Sequence, residues 1–266
     1  MSPEIIYEDE NILILNKPAG LVVHDDGKVR PEKEKTLCDW VLENYPEMEN
    51  VGEPMEIRVN SHKVAKTKKE KAEKSEKSEI DNYITIKRPG IVHRLDRETS
   101  GVIVLAKTQE TFDFLKEQFQ ERKVEKVYNA VIWGNIKTDE GFVDVPIGRS
   151  GKDFRQWSAS RGARGQLRDA VTDYKVLARF EDAGERFSLL EVRPKTGRTH
   201  QIRVHMKYLN NPIICDSLYA ENRPKVLGFN RTALHARQIT IEIPEKGKKT
   251  FEAPYPEDFV DLLAKL

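Results

Sequence analysis

Residues 93–107, HRLDRETSGVIVLAK, join a polar cluster directly to an apolar run. His93, Arg94, Asp96, Arg97 and Glu98 crowd together, then Ser100 and Gly101 turn the chain into Val-Ile-Val-Leu-Ala. An aspartate in that place is most simply a turn residue or a cap. A carboxylate carried into a cleft among arginines would do more. Nearby positive charge lowers its pKa, keeps it ionised and makes it a candidate nucleophile or base. A second basic cluster, GRTHQIRVHM at 197–206, brings Arg198, His200 and Arg203 close to a glycine turn, with Ile202, Val204 and Met206 to anchor the stretch. Spacing alone leaves a structural ion pair and a reactive carboxylate both open.

Two other chemistries fail on their own spacing rules. His200 and His205 are five apart, which on a helix separates them by roughly 140°. A zinc-protease pair needs four and an intervening glutamate, so no metal is expected. HRLD also differs from the kinase loop: no Asp-Phe-Gly follows and no glycine-rich phosphate loop precedes it. Residues 149–168, RSGKDFRQWSASRGARGQLR, hold six basic residues starting at Arg149 and one acid, with Phe154 and Trp157 interleaved. Positive charge tracks phosphates and aromatic rings stack on unpaired bases. A solvated, adaptable basic loop has the same composition.

The whole chain sets the bounds. Its 266 residues are ample for a sizeable core, and its net charge is only +1. Any attraction to nucleic acid must therefore come from uneven charge distribution. Cys38 and Cys215 lie far apart and suit a reducing cytoplasm, with no disulfide framework. The start has no signal-peptide pattern, and no stretch approaches about 18 consecutive apolar residues, so neither secretion nor a membrane is expected.

The elements that would position these residues read as follows. Residues 4–15 form two short β segments around an acidic turn, and Thr36 caps a helix bearing Leu37, Trp40, Val41 and Tyr45. Thr111–Arg122 makes an amphipathic helix with Phe112, Leu115 and Phe119 on one side. Strands are expected at Val124–Trp133, Asp173–Phe180, Phe187–Val192, Gln238–Ile243 and Lys249–Ala253. Residues 198–209 read as helical, and Pro256 opens the first turn of a last helix. Many strands, few helices and no strict βαβ alternation imply an α+β fold: a mixed, mostly antiparallel central β-sheet with flanking helices. Residues 63–79 carry seven lysines and four glutamates, and the tract at about 60–82 is expected to be a mobile, solvated insert.

With these pieces assembled, the chain closely resembles the RluA-type family of RNA pseudouridine synthases. The resemblance rests on NKPAGLVVH (16–24), HRLDRETSGVIVLAK (93–107), KVY (126–128) and PIGR (146–149). It continues through RDAVTDYKVL (168–177), RPKTGRTHQIRVHM (193–206), NPIICDSLYA (211–220) and LHARQITIEIP (234–244). It implies one catalytic domain over 1–266 with the pseudouridine synthase fold. Many relatives carry an N-terminal S4 domain; here the match begins near residue 4, so none is expected.

By that resemblance, Asp96 matches the catalytic aspartate and Tyr128 the tyrosine that stacks on the target base. Arg203 matches the arginine that pairs with the aspartate, and Arg94 the one that fills the RNA stack as uridine leaves it. Arg97, Arg149, Arg198 and His200 are expected RNA contacts, with Ile202 and Leu234 as pocket wall. Reactant and product are isomers, so no cofactor is required. The implied substrate is ribosomal or transfer RNA, met by a monomer in the cytoplasm. Two rival readings remain from other classes: a non-catalytic RNA-binding module on this fold, and a hydrolase that releases free uracil.

Overall fold

The computed structural model describes residues 1–25, 34–58, 83–159 and 162–266. The expected lysine/glutamate insert at about 60–82 falls outside the described residues. The elements run β1 (Glu4–Glu8), β2 (Ile12–Lys17), α1 (Leu37–Asn44), β3 (Met55–Arg58), β4 (Tyr83–Ile86), β5 (Ser100–Ala106), α2 (Gln109–Gln120) and β6 (Glu125–Trp133). They continue as β7 (Glu140–Asp144), β8 (Ile147–Ser150), β9 (Trp157–Ser158), β10 (Ala163–Arg168), β11 (Val171–Asp182) and β12 (Glu185–Pro194). The last are α3 (Gln201–Tyr208), β13 (Leu234–Ile243), β14 (Gly247–Glu252) and α4 (Glu257–Leu263).

Nine strands build the main sheet in the order β1-β2-β5-β13-β6-β12-β11-β7, with β14 on β13. One described contact is parallel, where His235 and Ala236 of β13 meet Ser100 and Gly101 of β5. Beyond that contact β14 takes β5's place beside β13, pairing Gln238 with Glu252 through Ile243 with Gly247. The result is the expected α+β architecture with a mostly antiparallel sheet.

Strand β5 explains the apolar half of the opening motif. All seven of its residues are buried, and each large aliphatic side chain so placed contributes about 1.5–3 kcal/mol. Gly101 is required by the parallel contact. Its φ is +116°, and a Cβ there would sit 2.2 Å from the Ala236 carbonyl oxygen. Gly101→Ala is expected to lower the thermal midpoint by roughly 5 °C or more, measured by circular dichroism, because neither backbone can retreat without breaking the ladder.

Two apolar cores flank the cleft. One packs β2, β5 and α1 with Phe112 and Leu115 of α2; the other packs β6 and β12 with Ile202 and Met206 of α3 and Phe259 of α4. Tyr128 touches both.

Several boundaries differ from the sequence expectation for identifiable reasons. Helix α2 starts at Gln109 because the Thr108 hydroxyl accepts from the Thr111 amide, a cap lying outside the apolar face that marked the helix. Helix α3 starts at Gln201 because His200 is left-handed, with φ 56°. Pro256 is the cap residue of α4 and not its first helical residue. Strand β13 begins at Leu234, four residues before Gln238, since its first three residues are all buried and show no alternation. The basic stretch 149–168 is not a simple loop: β8, β9 and β10 form a separate three-stranded sheet.

Three histidines, two of them fully buried, make an acid liability. Burial holds His93 down to about 3 and His235 down to about 4, and it also lowers His205. The unfolded chain binds protons at these sites first, so their contribution to stability is full above about 6.5 and is lost as pH falls toward 4 and below. Urea denaturation is expected to show a lower midpoint at pH 5 than at pH 7.

Candidate active site

A cleft of about 490 Å³ opens between the two cores, beside the turn that precedes β5. Among the described residues lining it, Asp96 is the one acid, and Arg88, Arg94, Arg122, Lys126, Lys195 and Arg198 are among the bases. That distribution answers the near-zero net charge: the positive potential is concentrated where it can act.

The turn carrying Asp96 is clasped at each carbonyl. The Thr99 amide donates to the Asp96 carbonyl at 3.1 Å, and the Gly20 amide to the Arg97 carbonyl at 2.8 Å. Lys17, fully buried, donates from Nζ to the carbonyls of Pro18, Leu21 and Arg97 at 2.9, 2.9 and 3.1 Å. Burial pulls the Lys17 ammonium down toward about 7, opposed by Asp96 and Glu98. Only the protonated amine can donate to all three carbonyls at once. On the other side Arg231, paired with Asp258, donates to the Glu98 carbonyl at 3.1 Å. His93 is structural: its Nε2 accepts from the Val104 amide at 2.9 Å, and its ring stacks on Phe119.

Arg203 bridges two carboxylates. Its Nε and Nη2 donate side-on to Asp216 at 2.7 and 2.8 Å, leaving Nη1 to donate to Asp96 Oδ2 at 3.1 Å. Asp216 is itself fixed, because its Oδ1 also accepts the amides of Leu218 and Tyr219 at 2.9 and 3.0 Å. The guanidinium carbon lies 5.0 Å over the Tyr219 ring. Burial lowers the Arg203 pKa, yet its bonds and charge contacts to Asp216 and Asp96 outweigh that and raise it.

Burial also drives the Asp96 carboxyl upward. His200 when protonated, the charges of Arg203 and Arg94, and the Arg203 hydrogen bond reverse that, so its pKa ends below the ordinary value. Asp96 is therefore ionised at neutral pH. Tyr128 lines the same cleft, its phenol raised well above 10 by burial and by the Asp96 charge, and so protonated. Burial brings the Lys126 ammonium down to about 8.

Of the residues singled out from sequence, Asp96, Tyr128, Arg203, Arg94, Arg198, His200, Ile202 and Leu234 all line the cleft. Two do not. Arg97 turns away and forms a two-pronged pair with Glu34, at 2.7 and 2.5 Å. Its position one residue after Asp96 sends it to the opposite side of the turn. Arg149 lies on β8, its guanidinium 4.4 Å over the Trp157 ring. Sequence reading passed over Asp216, Tyr219 and Lys17. The signal for Asp216 was an acid inside the mostly apolar run PIICDSLYA. Among the described residues, no group of three or more His, Cys, Asp or Glu side chains is placed to hold a metal ion. No described helix is long and apolar enough to cross a membrane.

Comparison with known proteins points the same way. Residues 11–208 match the RNA pseudouridylate synthase family. The chain is 34% identical over 267 residues to an uncharacterized RNA pseudouridine synthase of Bacillus subtilis, spanning all of this chain and 73% of that protein. It is 37% identical over 275 residues to the ribosomal large subunit pseudouridine synthase D of Pseudomonas aeruginosa, spanning 99% of this chain and 71% of that one. Among solved structures, human RNA pseudouridylate synthase domain containing 4 superposes with a TM-score of 0.65 at 25% identity, covering 99% of this chain and 92% of the other. A cleft with one arginine-held carboxylate, on a fold and sequence shared with these enzymes throughout, identifies the chain as a member of the RNA pseudouridine synthase family, an isomerase that acts on RNA.

Proposed function

We propose that the chain, acting as one catalytic domain, converts particular uridines of ribosomal or transfer RNA to pseudouridine, with Asp96 as the reacting carboxylate. The observation that carries the reading is a single ionised acid, fixed by Arg203, in a cleft whose other charged side chains among the described residues are basic. The reaction breaks the bond between the uracil nitrogen and the ribose, rotates the base, rejoins it through carbon 5 and releases the proton from that carbon. A carboxylate poised for such a step must stay charged while water is excluded, which is costly unless a cation is hydrogen-bonded to it.

The other cleft residues fit roles around that step. Tyr128, protonated and wedged between the two cores, offers a flat face for the uracil ring. Ile202 and Leu234 supply apolar wall, and Arg94, exposed and held only by a 3.4 Å contact to His24 Nε2 among the described hydrogen bonds, is suited to fill the gap left by an everted nucleotide. Arg198 and Lys195 would meet the flanking phosphates. Arg149, stacked on Trp157, belongs to a second basic surface on β8–β10 along which RNA could continue. The names of relatives such as the Pseudomonas protein favour ribosomal RNA of the large subunit. The cell compartment implied is the cytoplasm, and the working unit a monomer.

The experiment is a map of modified uridines by carbodiimide-blocked primer extension on ribosomal and transfer RNA, from cells with and without the protein. A small set of stops is expected to vanish when the protein is removed and to return when the purified chain treats that RNA. Identical maps in both cells, with no new stop after treatment, would defeat the reading.

A further inference from the structure

Tyr219 is buried, and its hydroxyl sits between two partners. It accepts the Trp157 amide at 2.9 Å and lies 2.9 Å from His200 Nδ1. Trp157 can only donate there, so among the described contacts Nδ1 is the acceptor for the phenolic proton. A buried hydroxyl ordinarily satisfies its donor. Nδ1 is then the bare nitrogen of the ring, and Nε2 carries the hydrogen. Nε2 is the nitrogen that faces Asp96, 3.9 Å from Oδ1.

The backbone is consistent with a fixed imidazole. His200 occupies the cap position of α3 in the left-handed region, φ 56°, and its side chain makes no capping bond to the helix. A left-handed non-glycine residue is strained and persists where surrounding contacts over-determine it. Burial also lowers the His200 pKa, opposed by the charge of Asp96, which favours the neutral ring over the imidazolium.

We propose that His200 is a positioning residue for Asp96, held by Tyr219 as the Nε2–H tautomer so that it meets Oδ1 while Arg203 meets Oδ2. The proposal rests on Asp96 being the reacting carboxylate. With an N–H on each oxygen, the carboxyl plane can no longer rotate about its bond to the chain. The present 3.9 Å is longer than a hydrogen bond, and the contact tightens when the nucleotide fills the cleft, as catalytic hydrogen bonds commonly do on substrate binding. Because Asp216 holds Arg203 and Tyr219 holds His200, one short turn supports both partners of Asp96. The same phenol ties that turn to the basic β8–β10 sheet through the Trp157 amide.

The test uses the full chain labelled with nitrogen-15 at histidine, read by long-range proton–nitrogen spectra at neutral pH. His200 should show an unprotonated Nδ1 and a protonated Nε2, and Tyr219→Phe should mix the two tautomers. In single-turnover tritium release from RNA labelled at uridine carbon 5, Tyr219→Phe and His200→Ala should slow the step about tenfold, the worth of one hydrogen bond to a charged group. RNA affinity should not change in Tyr219→Phe, whose side chain does not line the cleft. His200→Gln, whose amide can still present an N–H, should recover to within about threefold of the wild-type rate. A protonated Nδ1 in the wild type, or a wild-type rate for Tyr219→Phe, overturns the proposal. If the wild-type chain releases no tritium at all, the isomerase reading falls, and the spectra still decide the tautomer.

Discussion

Asp96→Asn is expected to reduce tritium release from RNA labelled at uridine carbon 5 to background while leaving RNA affinity within about threefold of wild type. The substitution keeps the size and planarity of the side chain and removes its charge and nucleophilicity. Arg203 loses one charged acceptor at 3.1 Å but keeps both bonds to Asp216, so the guanidinium stays in place. A negative group has also been taken from a basic cleft, which works against any loss of phosphate binding. A four-decade fall in rate corresponds to about 5.4 kcal/mol of transition-state stabilisation, within reach of a group on which the chemistry depends. Filter binding and tritium release on the same preparation separate the two effects. A variant retaining most of its rate would remove Asp96 from the chemistry, while one that lost binding and rate together would make it an RNA contact.

The second large effect concerns the cation. Arg203→Ala is expected to lower the rate about a thousandfold and to destabilise the fold by about 3–5 kcal/mol, because it strands Asp216 in the interior. The two losses have different origins and can be separated. Arg203→Met combined with Asp216→Asn removes both buried charges and keeps a side-chain oxygen for the Leu218 and Tyr219 amides. Removing a buried ion pair as a unit is far less costly than stranding one partner. The double variant should therefore regain most of the denaturation midpoint and none of the activity, since Asp96 still lacks its partner. If activity returned with stability, Arg203 would be serving the fold alone.

The candidate site was legible in the sequence where it depended on local order. Asp96 stands out because a charged run meets an apolar strand with Ser-Gly between, and Arg203 because a basic cluster shares a segment with Ile202, Val204 and Met206. What could not be read are relations between distant segments. Asp216 lies thirteen positions beyond Arg203, and its role follows from a turn that folds back on α3. Lys17, between an apolar strand and a proline, resembles a surface lysine, yet it is fully buried on three carbonyls, one of them eighty positions away. Arg97 shows the reverse relation. It shares Asp96's segment, but neighbouring residues in a turn point different ways, and Glu34 captures it. The central sheet was foreseeable from alternating and apolar runs, whereas β8–β10 was not, because arginines and glycines carry little strand signal.

The central claim is that a uridine turned out of its RNA meets Asp96 under the hold of Arg203. A structure of the full chain bound to target RNA carrying 5-fluorouridine tests it most directly, since the fluorine that replaces hydrogen on carbon 5 cannot leave as a proton. The modified nucleotide is expected in the cleft, everted, with its ring against Tyr128 and its sugar or base in contact with the Asp96 carboxylate. A nucleotide left stacked in the RNA, or seated elsewhere on the protein with Asp96 and Arg203 untouched, would contradict it.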